Sequence, residues 1–318
     1  MVSGDASATR LATSLMLAVI VIAWGGNYAL VKLALEDISP FTFNVLRFGG
    51  AAGVIALFAA VRGGQILPAR GERARLALVG FCQVTVMLGF TSVGLLWIEA
   101  SRAVLIAYTM PLWALLLGHL ILGERITAAR LAGAAIGFLG LALLFNPLAM
   151  DWSLDDSLLG SAIAVCGSIG WAAGSTVYRT RSWTTPYWAQ VFWQAFVGCL
   201  PLGLLAVVFE WGAAIDPTLQ LGALVVYNWL VPAALAYWCW AQVLSRMSAA
   251  TAGQILMLAP VYGVGLAAVI FREPLRPMLL GSGLLILAGA WLTVRARAGG
   301  VEGRTTQTVP EGERGGGS

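Results

Sequence analysis

Residues 111–124 read PLWALLLGHLILGE, and residues 260–273, which lie 149 positions further along the chain, read PVYGVGLAAVIFRE. In both segments a proline begins an apolar run that ends at a glutamate, and a glycine follows sixteen residues after that glutamate. When residues 100–145 are aligned with residues 249–294 without gaps, ten of the 46 positions are identical. An internal repeat in an apolar chain is typical of transporters built from two structural repeats, which place the substrate site where the repeats meet.

The composition is that of an integral membrane protein. Apolar residues make up 59% of the 318 residues and charged residues only 11%, whereas a soluble domain carries roughly 25% charged residues. The mean hydropathy is +0.84. The four cysteines lie within apolar runs and lack metal-ligand spacing, so we expect no disulfide framework, no bound metal and no cofactor.

Ten apolar segments have the length needed to cross a bilayer, which takes about 20 residues. They lie near residues 11–35, 40–62, 74–96, 100–122, 129–146, 158–178, 186–209, 218–244, 249–271 and 275–296. The sequence therefore predicts an all-α integral membrane protein with ten transmembrane helices.

The arginines predict how these helices are oriented. With a cytoplasmic N-terminus, the cytoplasmic segments hold twelve arginines and the opposite side holds three. Basic residues accumulate on the cytoplasmic side of membrane proteins, so both termini are expected to be cytoplasmic. These cytoplasmic arginines account for the basic pI of about 9.1. We therefore expect a lipid bilayer as a partner and no nucleic acid.

Each copy of the repeat contains five helices, and an odd number forces the second copy to enter the membrane in the opposite direction. The sequence thus predicts two inverted five-helix repeats at residues 11–146 and 158–298, joined by an outer connecting loop at 147–157. Residues 1–10 are expected to form a cytoplasmic N-terminal tail. Residues 299–318 are expected to form a disordered cytoplasmic tail, whose Gly-Gly-Gly-Ser end resembles an engineered linker.

Three local motifs accompany this architecture. They are a Leu-Gly-Glu-Arg helix end at residues 122–125, a degenerate Phe-Arg-Glu-Pro version at 271–274, and a Trp-Gly-Gly-Asn sequence at 24–27. With the two inverted halves, they resemble the drug/metabolite transporter (DMT) superfamily, in particular its EamA-type branch and the YddG-like bacterial exporters of aromatic amino acids. The resemblance implies an exporter of small metabolites, above all neutral and aromatic amino acids, in the bacterial inner membrane. It also implies a monomer or a weak homodimer.

Polar and aromatic side chains within the apolar segments are the candidates for a substrate site. Uncharged amides and hydroxyls suit a zwitterion, which needs donors for its carboxylate and acceptors for its ammonium group, while aromatic pairs contribute about 0.5–1.5 kcal/mol beyond burial. The candidate substrate-binding residues are Trp24, Asn27, Arg47, Gln83, Tyr108, Trp171, Asn228, Tyr237 and Gln254. For any single amide, hydrogen bonding between helices is at least as good an explanation.

The repeated segments supply the candidates for moving parts. Pro111 and Pro260 each remove a backbone hydrogen bond in mid-helix, so they are candidate hinges, with a static kink as an equal alternative. Glu124 and Glu273 are expected at helix ends on opposite membrane faces, where they would act as gate elements. All acidic residues fall at helix ends, in loops or in tails, so the sequence leaves open whether transport is coupled to protons.

Three functions remain in competition at this point. The first is an alternating-access exporter of amino acids. The second is a transporter of other organic solutes, either drug cations, for which no acid within the membrane offers a counter-charge, or sugar and phosphate metabolites. The third is a membrane sensor that transports nothing. We expect no enzyme and no catalytic residue, because the single histidine, His119, has no nearby partner acid and the chain contains no His-Glu-x-x-His motif.

Overall fold

The computed structural model describes residues 2–94, 97, 106–145, 148, 154–270 and 277–305, and its regular secondary structure over these ranges is helical. Glu273, one of the predicted gate residues, lies outside the described residues, as does most of the predicted connecting loop. The helices are α1 (Val2–Ala34), α2 (Pro40–Val61), α3 (Arg73–Gly94), α4 (Met110–Leu122), α5 (Ala128–Phe145), α6 (Leu154–Tyr178), α7 (Tyr187–Phe209), α8 (Leu219–Leu244), α9 (Ala249–Leu256), α10 (Leu258–Ile270) and α11 (Pro277–Thr305).

Several of these helices have the dimensions of membrane spans. Among the described residues, six helices are long and apolar enough to cross a bilayer, namely α2, α3, α6, α7, α8 and the Thr9–Asn27 part of α1. Helix α4 and parts of α5 and α11 are shorter apolar helices. The structure therefore confirms an all-helical fold of the membrane type.

Two helices extend beyond their predicted ends. Helix α1 begins at Val2 and takes in the predicted N-terminal tail, while α11 continues to Thr305, past Gly299, where the sequence predicts disorder. Once a helix is nucleated, each further residue adds one hydrogen bond at small cost, so a flanking polar segment can continue it.

Helices α3 and α8 each contain a π-helical segment. The first covers Phe81–Val86 and the second covers Trp229–Leu235. Pro232 lies inside the second segment and has no N–H to donate, which disrupts the regular α-helical hydrogen bonding there. A π-helical turn holds an extra residue, so it changes the direction in which the following side chains point.

The helical path breaks just before each repeated proline. Tyr108 and Thr109 form a turn ahead of Pro111, and Met257 forms the break ahead of Pro260. The two prolines therefore lie in the first turn of α4 and α10, and the prediction that they sit in mid-helix is wrong. The physical reason is that proline has no N–H to donate to the carbonyl four residues earlier and its ring clashes with that carbonyl, so the turn before it cannot remain regular.

A hydroxyl group compensates for the first break. In a continuous helix the N–H of residue 111 would donate to the carbonyl of Ala107, and proline has no N–H. Ser168 of α6 donates its Oγ hydrogen to that carbonyl at 3.1 Å, and its Oγ lies 3.1 Å from the hydroxyl of Thr109. The break in the first half is thus tied to the first helix of the second half.

Glycines allow two pairs of helices to approach closely. A Cβ at Gly25 of α1 would lie 2.3 Å from the carbonyl oxygen of Ala259 in α10. A Cβ at Gly133 of α5 would lie 2.2 Å from Thr293 Oγ1 of α11, and one at Gly289 would lie 2.5 Å from the Gly133 carbonyl oxygen. The glycine face of α5 is therefore occupied by α11 of the same chain.

Two carboxylates bind backbone N–H groups near opposite ends of α7. Glu210, which follows α7, accepts hydrogen bonds from the backbone N–H of Phe41 (2.8 Å) and Thr42 (2.7 Å) at the start of α2. Glu72, which precedes α3, accepts hydrogen bonds from the backbone N–H of Thr184 (2.9 Å) and Thr185 (3.1 Å), just before α7. Glu210 therefore caps α2, since an anion is favourable at a helix N-terminus, whereas Glu72 holds the segment that leads into α7.

Candidate functional site

Four aromatic side chains form a cluster where α1, α6 and α8 meet. Trp24, Trp171, Tyr237 and Trp240 make up this aromatic cluster. The ring centroid of Trp24 lies 5.2 Å from that of Trp171, 5.5 Å from that of Tyr237 and 5.9 Å from that of Trp240. Trp171 lies 5.8 Å from Tyr237 and 5.7 Å from Trp240. These separations are those of edge-to-face and tilted aromatic pairs, and they leave no room for another ring between them.

The cluster is buried but contains unsatisfied donors. Trp171, Tyr237 and Trp240 are 7%, 5% and 2% exposed. The indole Nε1 atoms of Trp171 and Trp240 make no hydrogen bond, whereas Trp24 Nε1 donates to the carbonyl of Pro232 at 2.9 Å. A buried donor without an acceptor costs about 1–3 kcal/mol. The two indole N–H groups are therefore available to an acceptor that enters the cluster.

Polar groups of α2 and α3 border the cluster. Gln83, in the π-helical segment of α3, donates from Nε2 to Ser175 Oγ at 2.9 Å, and its backbone carbonyl lies 3.4 Å from the hydroxyl of Tyr237. Phe48 of α2 packs edge-on against Tyr237, with ring centroids 5.4 Å apart. The guanidinium of Arg47 lies 5.1 Å from the Phe48 ring centroid and close enough to Tyr237 to interact with it electrostatically.

Two buried amides lie on helices that reach the cluster. Asn27 follows Trp24 by three residues on α1 and is therefore close to the same helix face. Its Oδ1 has no hydrogen-bond partner, and the same holds for Oδ1 of Asn228, whose Nδ2 donates to the Leu224 carbonyl at 2.9 Å. These two oxygens are acceptors of the kind that an ammonium group needs.

Two other candidates lie elsewhere in the bundle. Gln254 of α9 is buried between α5 and α11, because a Cβ at Gly137 would lie 1.7 Å from its Nε2 and one at Gly289 would lie 3.1 Å from it. Tyr108 is buried at the break before Pro111. The structure thus brings Trp24, Trp171 and Tyr237 into direct contact and places Gln254 in a helix interface.

Sequence reasoning missed two members of this region, Trp240 and Phe48. Trp240 follows Tyr237 by three residues, so the two share a helix face, and this spacing was the available signal. Phe48 carries no such signal, since nothing local distinguishes it from the other phenylalanines of α2.

A charged network joins the two halves at the end of the bundle that holds Arg130, Arg179, Arg181 and Arg246, called here the arginine-rich end. Glu124, just after α4, forms ion pairs with Arg130 Nη2 at 2.9 Å and with Arg179 Nη1. Arg130 also donates to Ser248 Oγ at 2.9 Å, and Ser248 caps the start of α9. Burial raises the pKa of the Glu124 carboxyl, but the two arginines outweigh burial and hold it below its usual value.

The opposite end of the bundle is closed by acidic residues. Thr218, the N-cap of α8, donates its hydroxyl to Asp37 Oδ2 at 2.7 Å, and the backbone N–H of Asp216 donates to the Asp37 carbonyl at 2.9 Å. Glu210 caps α2 at this same end. Among the described residues, no group of three or more His, Cys, Asp or Glu side chains could hold a metal ion.

A bundle of apolar helices around a buried centre of aromatic and amide groups is the architecture of a multi-span membrane transporter. The chain belongs to the EamA-like transporter family, whose model matches residues 11–146 and 158–295. This confirms the family resemblance drawn from the sequence motifs.

Relatives and a solved structure agree with that membership. The chain is 26% identical over 298 residues to a "Probable amino-acid metabolite efflux pump" of Salmonella typhimurium, covering 86% of this chain and 92% of the relative. It is 26% identical over 288 residues to a "Probable terminal-alkyne amino-acid exporter" of Streptantibioticus cattleyicolor, covering 89% and 93%. A solved crystal structure superposes with a TM-score of 0.78 at 22% identity, covering 90% of this chain and 98% of that chain, which shows a shared fold.

Proposed function

We propose that this protein is an alternating-access exporter of neutral amino acids that prefers aromatic side chains, and that it works in the bacterial inner membrane. The observation that carries the proposal is the aromatic cluster with its two unpaired indole N–H groups. Aromatic rings can stack on an aromatic or large apolar side chain, and the N–H groups of Trp171 and Trp240 can donate to a carboxylate. The unpaired amide oxygens of Asn27 and Asn228 would accept from the ammonium group.

The relatives support this class of substrate. Two are named as a probable amino-acid metabolite efflux pump and a probable terminal-alkyne amino-acid exporter. Both names describe amino acids or their derivatives as cargo. The preference for aromatic side chains is inferred from this chain's own cluster.

Several paired features support two inverted repeats as the moving units. The family model matches the chain twice, once in each half. The π-helical segments of α3 and α8 and the breaks before Pro111 and Pro260 occur at equivalent positions of the two halves. Glu72 and Glu210 bind backbone N–H groups near opposite ends of α7, as expected of an inverted pair. On this basis Trp24 and Trp171, the matched residues of α1 and α6, meet at the pseudo-twofold centre.

The same architecture indicates how access alternates. The ring contacts of the cluster leave no space for a substrate, so binding requires α1, α6 and α8 to separate. The pairs of Glu124 with Arg130 and Arg179 hold the arginine-rich end together, and they would have to part when that end opens. With cytoplasmic termini, the arginine-rich end faces the cytoplasm. Glu124 is then the inner gate, and the breaks before Pro111 and Pro260 are the hinges.

Counterflow in proteoliposomes tests the proposal. Purified protein should exchange labelled phenylalanine and tryptophan faster than small neutral amino acids. Trp171→Phe keeps a ring but removes an unpaired donor, so the concentration of phenylalanine that gives half-maximal exchange should rise about tenfold. Trp211→Phe alters a tryptophan that is 81% exposed and serves as the matched control. Absence of exchange with all twenty amino acids, together with exchange of a phosphorylated sugar, would refute the proposal.

A labelling experiment tests the orientation. Both termini should react with an impermeant reagent only after the cell membrane is opened. A C-terminus that reacts in intact cells would contradict the arrangement of ten helices with both termini in the cytoplasm.

A further inference from the structure

A polar cleft of about 530 Å³ opens at the arginine-rich end, between the connection from α6 to α7 and the end of α8. Its lining includes three arginines, Arg179, Arg181 and Arg246, together with the rings of Trp183 and Tyr187. The lining residues include no Asp or Glu. A cleft with several guanidinium groups and aromatic walls suits a small molecule that joins an anionic group to an apolar body.

The cleft and the aromatic cluster share two helices. Along α6, Trp171 of the cluster precedes Tyr178 of the cleft by seven residues, or about 10 Å at 1.5 Å per residue. Along α8, Trp240 of the cluster precedes Leu244 of the cleft by four residues, or about 6 Å. The cleft therefore lies about one to two helical turns from the cluster, on the side of the arginine-rich end.

Fixed contacts orient the guanidinium groups that line the cleft. Arg246 donates to Gln242 Oε1 at 3.2 Å and lies 3.5 Å from Thr13 Oγ1. Arg181 donates to the Gly71 carbonyl at 3.2 Å and packs 5.6 Å above the centroid of the Trp183 ring. Because these neighbours restrain the side chains, less conformational entropy is lost when an anion binds.

Two carboxylates that do not line the cleft form ion pairs with two of its arginines. Glu124 pairs with Arg179, and Glu72 lies 3.5 Å from Arg181 Nη2. Four donors from Thr184 and Thr185 hold Glu72, whereas Glu124 is held by the arginines and lies within the gate. An incoming carboxylate at Arg179 would therefore compete with Glu124.

Building on the exporter function proposed above, we propose that this cleft is the loading site where a substrate carboxylate first binds from the cytoplasm. Arg181 and Arg246 bind the carboxylate, and Trp183 and Tyr187 contact the apolar side chain. Arg179 lines the same cleft, so the bound carboxylate also attracts Arg179, weakens its pair with Glu124 and thereby favours the opening of the inner gate.

The experiment compares ligands that differ in one charged group. The probes are phenylalanine, 3-phenylpropionate, which lacks the ammonium group, and 2-phenylethylamine, which lacks the carboxylate. Each is measured as a competitor of labelled phenylalanine exchange and by equilibrium binding to purified protein. Arg181→Gln and Arg246→Gln should each raise the inhibitory concentration of phenylalanine and phenylpropionate about tenfold and leave that of phenylethylamine unchanged.

Matched controls separate this proposal from general effects of charge. Arg75→Gln removes an exposed arginine of α3 that does not line the cleft, and it should change none of these values. An equal loss for phenylethylamine, an equal effect of Arg75→Gln, or no effect of the two cleft variants would overturn the proposal. So would an effect that occurs in vesicles with phosphatidylglycerol and vanishes in pure phosphatidylcholine, since the occupant would then be a lipid headgroup.

The two proposals can fail separately. If the native protein exchanges no amino acid but binds phenylpropionate in a manner that depends on Arg246, the exporter function fails and the carboxylate site stands. If exchange is robust and the cleft variants behave like the native protein, the exporter function stands and the loading site fails.

Discussion

Replacing Glu72 with glutamine is expected to destabilise the fold by about 3 kcal/mol at neutral pH. Glu72 is 1% exposed, and its two oxygens accept hydrogen bonds from the backbone N–H and the hydroxyl of both Thr184 and Thr185. Burial raises the pKa of the Glu72 carboxyl, but these four donors outweigh burial and lower it from 4.5 to about 2. Since one pKa unit corresponds to 1.36 kcal/mol, the ionised carboxylate contributes about 3 kcal/mol. In a glutamine at this position one oxygen is replaced by an NH₂ group, which cannot accept hydrogen bonds, so two of the four donors would lose their acceptor.

The sign of the pH dependence follows from the lowered pKa. The contribution is fully present above the unfolded pKa of about 4.5 and is lost as the pH falls through the folded pKa of about 2. It should fall from about 3 kcal/mol at pH 5 to about 1.4 kcal/mol at pH 3. The difference in stability between the native protein and Glu72→Gln should therefore shrink by about half between these two pH values.

Thermal unfolding in detergent measures this difference. At pH 7 the variant should melt on the order of 5–10 °C lower than the native protein. Glu36→Gln, which changes an exposed carboxylate just after α1, should have the same melting temperature as the native protein. A melting difference that stays constant from pH 7 to pH 3 would show that ionisation of Glu72 is not the cause.

Three further outcomes are expected. Ser168→Ala removes the donor to the Ala107 carbonyl and should lower stability by about 1–3 kcal/mol, seen as a lower melting temperature. Gly137→Leu would drive a side chain into Gln254 and should abolish the peak of folded protein in size-exclusion chromatography, whereas Gly53→Ala, whose added Cβ meets no atom within 4 Å, should fold normally. Glu124→Gln weakens the ion pairs with Arg130 and Arg179, so, on the gating role proposed for them, thiol labelling of Cys239, which is 3% exposed, should become several-fold faster. An unchanged labelling rate would remove Glu124 from the gate.

The elements predicted from the sequence rest on local patterns. Apolar runs predicted where helices lie, and the family motifs at residues 24–27 and 122–125 pointed to the family that the comparisons confirm. The spacing of Pro111 and Pro260 predicted equivalent positions in the two halves, and the structure breaks the helical path next to both. Each of these features can be identified along the chain without knowing which helices pack together.

The membership of the aromatic cluster could not be predicted in the same way. The rotation of each helix about its axis decides which side chains face the centre, and one extra residue in a π-helical turn rotates all later residues by about 100°. The turn at Trp229–Leu235 precedes Tyr237 and Trp240, so their direction depends on it. Gln254 and Gln83 are both amides within apolar segments, so the sequence does not distinguish them. In the structure, however, Gln254 faces the glycines of α5 and α11.

Hydropathy, charge bias and spacing act along the chain, so the amino-acid sequence was enough to establish the membrane class, the helical segments, the internal repeat and the family. The packing of the helices established which aromatic residues meet, that Glu210 caps α2 while Glu72 binds the segment before α7, and that Arg179 joins the cleft to Glu124. These contacts join residues that are more than fifty positions apart. They depend on how whole helices pack, and no local pattern in the sequence specifies that packing.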